Sequence, residues 1–322
     1  MRKIRDENGK WLNSGIFRQE AIKFQKNKTY TTAPWGTPDW QEYWETHLKR
    51  CIEGFSVFEE DGTEHKITGH HYSYLNFTEI QIVEQGDDEE SAAAEKITQS
   101  PDFWDGDYDY FWALEIARYG LFTKNTQVPS TPEEKKEWNG LQKQLRLLKK
   151  ELKEKTRNSK EYQEIKDKRD EISLRVLDRL KLKVKPHLDF LDGGYHMIVG
   201  KSRRKGYSYK NGAICANVYN TQRKAQVIIG AFEKKFLYPQ GTMGMASNYL
   251  NFLNTHTGWA KSRDETDKID HKKASYKTMV NGVTSIKGYE SEIFALTFKD
   301  NPDAARGKDG KIFLLEEAGA FP

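Results

Sequence analysis

Cysteine is nearly absent from this chain of 322 residues: Cys51 and Cys215 are the only two. They stand far apart with no CxxC or Cys/His spacing, so neither a disulfide framework nor a cysteine-based zinc site is expected, and a reducing compartment is. Long apolar runs are missing as well. No stretch approaches the roughly 18 apolar residues of a membrane span, and the first nine residues lack the apolar core of a secretion signal. A soluble cytosolic protein is expected. Aliphatic residues are sparse, with 36% hydrophobic against 31% charged, so the 12% of aromatics must supply much of the buried area. The net charge of +4 is too mild an average to decide for or against a nucleic-acid partner, which needs a local basic surface.

What is present changes character along the chain. Trp35, Trp40, Tyr43 and Trp44 predict one face of a short helix, and the alternation over Lys66–Ile82 predicts a strand. Glu84–Asp109 carries ten acids against one lysine, Lys96, and reads as a solvated loop. Its Asp105–Asp109 segment imitates a calcium loop, but Tyr110 and Ile116 stand where Gly and the bidentate Glu are needed, so no calcium site is expected. Tyr108–Tyr119 predicts an amphipathic helix ended by Gly120.

Thr131, Pro132 and Glu134 form a helix start, followed by a stripe of Leu141, Leu145, Leu148 and Leu152. Asn158 and Glu161 form a second capping pair, after which Tyr162, Ile165, Ile172 and Val176 resume the stripe. This predicts a helical hairpin over residues 131–185, inserted between an aromatic-rich part at 1–130 and a core at 186–322. In that core Tyr195–Val199, Ala225–Ile229, Ile293–Phe298 and Lys311–Leu315 predict strands, and Tyr209–Tyr219 and Ser247–Leu253 predict helices. Such alternation implies an α/β fold with a mostly parallel sheet and flanking helices.

Between the first of those strands and the first helix lies a basic, glycine-bounded loop: Gly200, Lys201, Ser202, Arg203, Arg204, Lys205, Gly206, Tyr207, Ser208. Strand, loop and helix in that order suit phosphate binding, because loop N–H groups and the helix's positive end converge on one point. Ser208 is placed to ligate Mg²⁺, and a cation balances the terminal phosphates. The common G-x-x-x-x-G-K-[ST] pattern would put Lys where Tyr207 stands, and Gly200 to Gly206 is one residue too long. Lys205 is the first choice for the missing cation, and Arg203 is a candidate arginine finger. On this segment alone, a solvated or nucleic-acid-binding surface is an equal reading.

Lys311–Gly319 supplies a possible second half: an apolar strand ending in Glu316 and Glu317. Ligands of open α/β sheets bind at the carboxyl ends of strands. Glu316 would hold Mg²⁺ through water, and Glu317 would orient the attacking water.

Together these segments resemble the ATPase domain of the large terminase subunit of tailed bacteriophages. The Ser202–Ser208 segment is similar to that family's deviant S-R-x-x-G-K-[ST] loop, Ala305-Arg306-Gly307 to its R-G segment, and Ile312–Ala318 to its hydrophobic-D-E segment, with Glu316 where Asp is usual. The resemblance implies a P-loop NTPase fold of the ASCE type and an ATP-hydrolysing motor that moves double-stranded DNA into a procapsid. It implies ATP and Mg²⁺ as ligands, with the portal protein and the small terminase subunit as partners. It also implies a homo-oligomeric ring on the portal, formed transiently at the procapsid vertex in the host cytoplasm.

A nuclease domain should follow the carboxylates in such a protein, so the chain is expected to be a piece of a longer one. Tyr72, Tyr74, Phe103 and Trp104 are candidates to stack on adenine, and Lys261, Arg263, Lys272 and Lys273 to contact DNA phosphates. The competing expectations are another P-loop ATPase of helicase-like kind and a nucleotide-binding module without turnover.

Overall fold

A computed structural model describes residues 3–6, 9–84, 95–119, 132–155, 159–183, 196–200, 205–262, 268–280 and 282–321. In chain order the elements are α1 (Gln19–Asn27), α2 (Pro38–Glu53), β1 (Phe55–Phe58), β2 (Glu64–Ile67), α3 (Gly69–Asn76), β3 (Ile80–Glu84), β4 (Glu95–Gln99), α4 (Asp105–Tyr119), α5 (Pro132–Glu154) and α6 (Lys160–Lys183). There follow α7 (Tyr207–Thr221), β5 (Gln226–Ala231), α8 (Thr242–His256), β6 (His271–Val280), β7 (Val283–Thr297) and β8 (Ile312–Glu316). Two compact units result. A helical unit takes in Ser56–Lys66 and Tyr108–Val199, and a sheet unit takes in Lys3–Phe55, Ile67–Asp107 and Gly200–Pro322.

The fold is mixed α/β. Its largest sheet has the order β6-β7-β5-β8, with β5 parallel to both β7 and β8 and β6 antiparallel to β7. Val227, Ile228, Ile229 and Ala231 of β5 are all buried, as a central strand covered on both faces requires. Helix α7 is buried along most of its length and packs on α8. Gly212 sets their approach, because a Cβ there would fall 2.6 Å from the Met245 Cβ and 2.9 Å from the Ala246 amide nitrogen. Gly212→Ala is therefore expected to destabilise the sheet unit by about 1–2 kcal/mol. Overpacking outweighs the helix propensity gained by alanine, and the midpoint of urea unfolding measures the difference.

The segment from Lys66 to Ile82 is not the expected strand, because α3 occupies its middle. The Thr68 hydroxyl accepts a hydrogen bond from the His71 amide (3.2 Å) and caps the helix. Gly69 lets the Cys51 carbonyl pass where a Cβ would stand only 2.4 Å away. All eight residues of α3 are buried, so no helical period was there to read. The tryptophan face is also corrected: α2 starts at Pro38 behind a Thr37 cap, leaving Trp35 outside it and 85% exposed. The acidic run is not one solvated loop either, since it contributes β4 and the first turn of α4, where Asp107 is buried.

The expected strand at Tyr195–Val199 is not found. Residues 196–200 have no regular structure and Ile198 is 97% exposed. Among the described residues β8 pairs only with β5, so no further strand bridges to this apolar segment, and an extended segment without a neighbour leaves its backbone unpaired. Gly120, Thr131, Asn158 and Tyr195 lie outside the described residues, as does the side chain of Val176.

In the helical unit α5 and α6 pack on each other, with Leu141 and Leu145 buried. The Ser159 hydroxyl accepts from the Tyr162 amide at 3.1 Å at the start of α6. On α4, Glu115 is buried, and among the described residues its Oε2 has no hydrogen-bond partner. Burial pushes its carboxyl up to about 7, against the pull of Arg118 and Lys66. A raised carboxyl stabilises the fold fully below its ordinary value near 4.5, and that contribution is lost as pH rises through about 7. Glu115→Gln should match the wild type near pH 4 and exceed it above pH 7 by on the order of 3 kcal/mol, read from thermal midpoints at the two pH values. Among the described residues no helix is long and apolar enough to cross a membrane.

Candidate functional site

Three elements of the sheet unit meet at Glu316. It is the last residue of β8, registered against Ala231 at the end of parallel β5, so its carboxylate sits at the carboxyl edge of the sheet. Asn211, in the second turn of α7, donates its Nδ2 to Glu316 Oε1 at 2.7 Å, and the hydroxyl of Thr242, the first residue of α8, donates to the same oxygen at 2.5 Å. The N-cap of α8 is Gly241, where a Cβ would fall 2.0 Å from the Phe236 carbonyl oxygen, so the helix brings no capping side chain of its own. The buried carboxylate of Glu316 therefore lies near the positive end of α8. Cys215, one turn beyond Asn211, has its thiol pushed up by burial and then by the Glu316 charge, which keeps it neutral.

Glu317 is placed differently. It is exposed, and its backbone is left-handed (φ 48°), a conformation that non-glycine residues adopt at a cost and that turns the chain out of β8 into a short 3₁₀ turn, Ala318–Ala320. The two neighbouring carboxylates are thus sorted, one held inside and the other presented outward.

The N-cap of α7, Gly206, is left-handed (φ 68°) and, having no side chain, contributes no cap to the positive end of the helix. Ser208 is half-buried in the first turn, and Lys205 is exposed just ahead of it. Gly200 is exposed and irregular, and Lys201, Ser202, Arg203 and Arg204 lie outside the described residues.

Lys210 has a different role from the other loop cations. Its Nζ lies 2.6 Å from Asp107 Oδ1 with both side chains largely buried, and 3.9 Å from the centre of the Tyr207 ring. Burial holds the Asp107 carboxyl above its usual range, while Lys210 pulls it down. His71, buried beside this ammonium, is pushed down to about 3, first by burial and then by Lys210, so it is neutral. Tyr207 covers a cation that Asp107 already neutralises.

Of the adenine candidates, Tyr72 is buried with its hydroxyl 2.6 Å from His47 Nδ1, Tyr74 is buried, and Phe103 packs against Trp11, Phe17 and His71. Trp104 alone of the four is exposed, at 66%. Of the DNA candidates, Lys261 lies 4.1 Å from the centre of the Tyr289 ring, and burial lowers its pKa. Lys273 is ion-paired with Glu292 at 2.6 Å, Lys272 is half-buried, and Arg263 lies outside the described residues.

Asp107, Asn211 and Thr242 were not legible as site residues. Asp107 is hidden in an acidic run 103 positions before its partner, and Asn211 bonds a carboxylate 105 positions away. Among the described residues no cluster of three or more His, Cys, Asp or Glu could hold a metal ion. Comparison with known families, with curated proteins and with solved structures gives no match to this chain.

Proposed function

We propose that this chain is an ATP-hydrolysing motor subunit, the ATPase part of a large terminase subunit that drives double-stranded DNA into a viral procapsid. The observation that carries this reading is the 2.7 Å hydrogen bond between Asn211 and Glu316. It ties the helix that follows the basic loop to the carboxylate at the end of a parallel strand, the pairing a P-loop NTPase of the ASCE type needs. The portal protein, the small terminase subunit and other copies in a ring are the partners this reading carries.

The residues suit Mg·ATP. The positive end of a helix preceded by a sequence of four cations, Lys201, Arg203, Arg204 and Lys205, suits a polyphosphate. Mg²⁺ is commonly held by one or two carboxylates plus substrate phosphates, so Glu316 and Ser208 suffice without an all-protein cage. When bound, the ion supplies charge neutralisation on the phosphates. Asn211 and Thr242 hold Glu316 by one oxygen, Oε1, which fixes the rotamer of the carboxylate. Glu317, turned outward, accepts a hydrogen bond from the attacking water and orients it. With Lys210 neutralised by Asp107, the phosphate charge falls to Lys201, Arg203, Arg204 and Lys205, with Arg203 the candidate finger.

Titration of the chain with Mg·ATP and with ATP in EDTA tests the site. The reading expects Mg²⁺-dependent binding that is lost in Glu316→Ala, and binding indifferent to both would contradict it. A second reading, binding without turnover, is favoured by the ring of Tyr207 lying over Lys210 where a phosphate-seeking lysine would be needed. Tight Mg·ATP binding with no phosphate release in wild type would select it.

A further inference from the structure

The β6–β7 pair outruns the sheet that anchors it. Among the described residues β5 pairs with β7 over Glu292–Thr297, whereas β6 follows β7 back as far as Val280 opposite Val283. The register slips between Lys273 and Ser275, where Gly288 (φ 117°) approaches the Ala274 carbonyl, and such bulges bend and twist a ribbon. Up to this bulge Ala274, Ser275 and Ser291 are buried; beyond it Tyr276, Lys277, Met279, Val283, Ile286 and Lys287 are exposed. Apolar residues bared on a free two-stranded ribbon point to a partner, because such a ribbon is marginal in water by itself.

Its charge says which. From His271 to Tyr289 the sequence has four lysines and no carboxylate, in a chain with 48 acids. Lys272 and Lys273 stand at the base, Lys273 ion-paired with Glu292, which leaves Lys277 and Lys287 on the stretch beyond the bulge. The register places Tyr276 opposite Lys287 and Lys277 opposite Ile286, so the two lysines stand on opposite faces. An anionic membrane would engage one face. Two phosphate strands flanking a groove engage both.

The free stretch has five residues on each strand and reaches roughly 17 Å. The major groove of B-DNA, about 12 Å wide, admits a two-stranded ribbon, whereas the deep, narrow groove of duplex RNA does not. We infer that the β6–β7 ribbon is a duplex-DNA-binding arm that enters the major groove, with Lys277 and Lys287 on the two flanking phosphate backbones. The DNA-handling half of the proposed function supports this inference; the nucleotide site does not enter it.

The test is binding of a 30-base-pair duplex to the full chain without nucleotide, over a series of salt concentrations, by fluorescence anisotropy. In Lys277→Gln/Lys287→Gln the slope of log affinity against log salt should fall by about 2 and affinity by roughly tenfold or more, while Lys143→Gln leaves both unchanged. Both lysines are exposed, so folding is not at stake, and unchanged circular dichroism checks this. Wild-type duplex binding that the double variant does not weaken would overturn the arm and leave the motor reading standing. No duplex binding by wild type would overturn both, whatever its ATP turnover. Tighter binding to duplex RNA or to anionic vesicles, or self-association lost in Met279→Ser with DNA affinity untouched, would also overturn the arm.

Discussion

Lys210→Met is expected to destabilise the sheet unit by about 3–5 kcal/mol, the usual cost of stranding one partner of a buried ion pair. Asp107 would keep its buried place with no cation 2.6 Å away, and the Tyr207 ring would lose the ammonium beneath it. The pH dependence gives this prediction its sign. Burial already raises the Asp107 carboxyl and Lys210 opposes the rise, so the variant raises it further. A carboxyl raised in the folded state contributes stability at low pH that is lost as pH climbs through its folded value. The defect in Lys210→Met should therefore be larger at pH 8 than at pH 5. Asp107→Leu combined with Lys210→Met should recover most of the loss, since an apolar pair of similar volume replaces two desolvated charges. Urea unfolding at both pH values measures this, and a defect under about 1 kcal/mol, or one indifferent to pH, would show that the pair bears little of the folding energy.

The second large effect is on rate. If the chain hydrolyses ATP as proposed, Glu317→Gln should lower turnover by about 10²–10⁴-fold, the usual worth of a positioned general base, while Mg·ATP affinity stays within a few-fold. The exposed side chain lies outside the core, so the substitution carries no folding penalty of the kind expected at buried Glu316. Gln keeps the size and the left-handed backbone demand of residue 317 and removes only the charge. Loss of binding together with turnover would instead place Glu317 among the nucleotide's ligands.

The parts of the fold that were legible are those whose burial is one-sided or whose ends carry strong punctuation. Helix α7 and strands β5 and β8 were placed within a few residues, because apolar runs there are bounded by Gly and charged turns, whereas of α8 only the Ser247–Leu253 stretch was read and its start at Thr242 was missed. Strand β7 was read only as Ile293–Phe298, because its outer half, exposed as part of the ribbon, lacks an apolar run that pairing alone does not require. Helix α3 was misread because burial on every side erases the period that distinguishes helix from strand. At the site, Glu316 and Glu317 were visible as a strand terminus. Their different placement, Glu316 buried and Glu317 exposed, was not, since it depends on a backbone turn at φ 48° and on donors from two distant helices. Tyr207 was seen as a missing lysine; its contact with Lys210 requires the fold.

The central claim is that the start of α7 and the end of β8 make one magnesium-nucleotide site, and separate measurement of Mg·ATP binding and phosphate release in wild type, Glu316→Ala and Glu317→Gln tests it most directly. Wild type should bind and turn over ATP, Glu317→Gln should bind without turnover, and Glu316→Ala should lose Mg²⁺-dependent binding. Wild type that binds no nucleotide, or that binds and turns over equally in all three proteins, would contradict it.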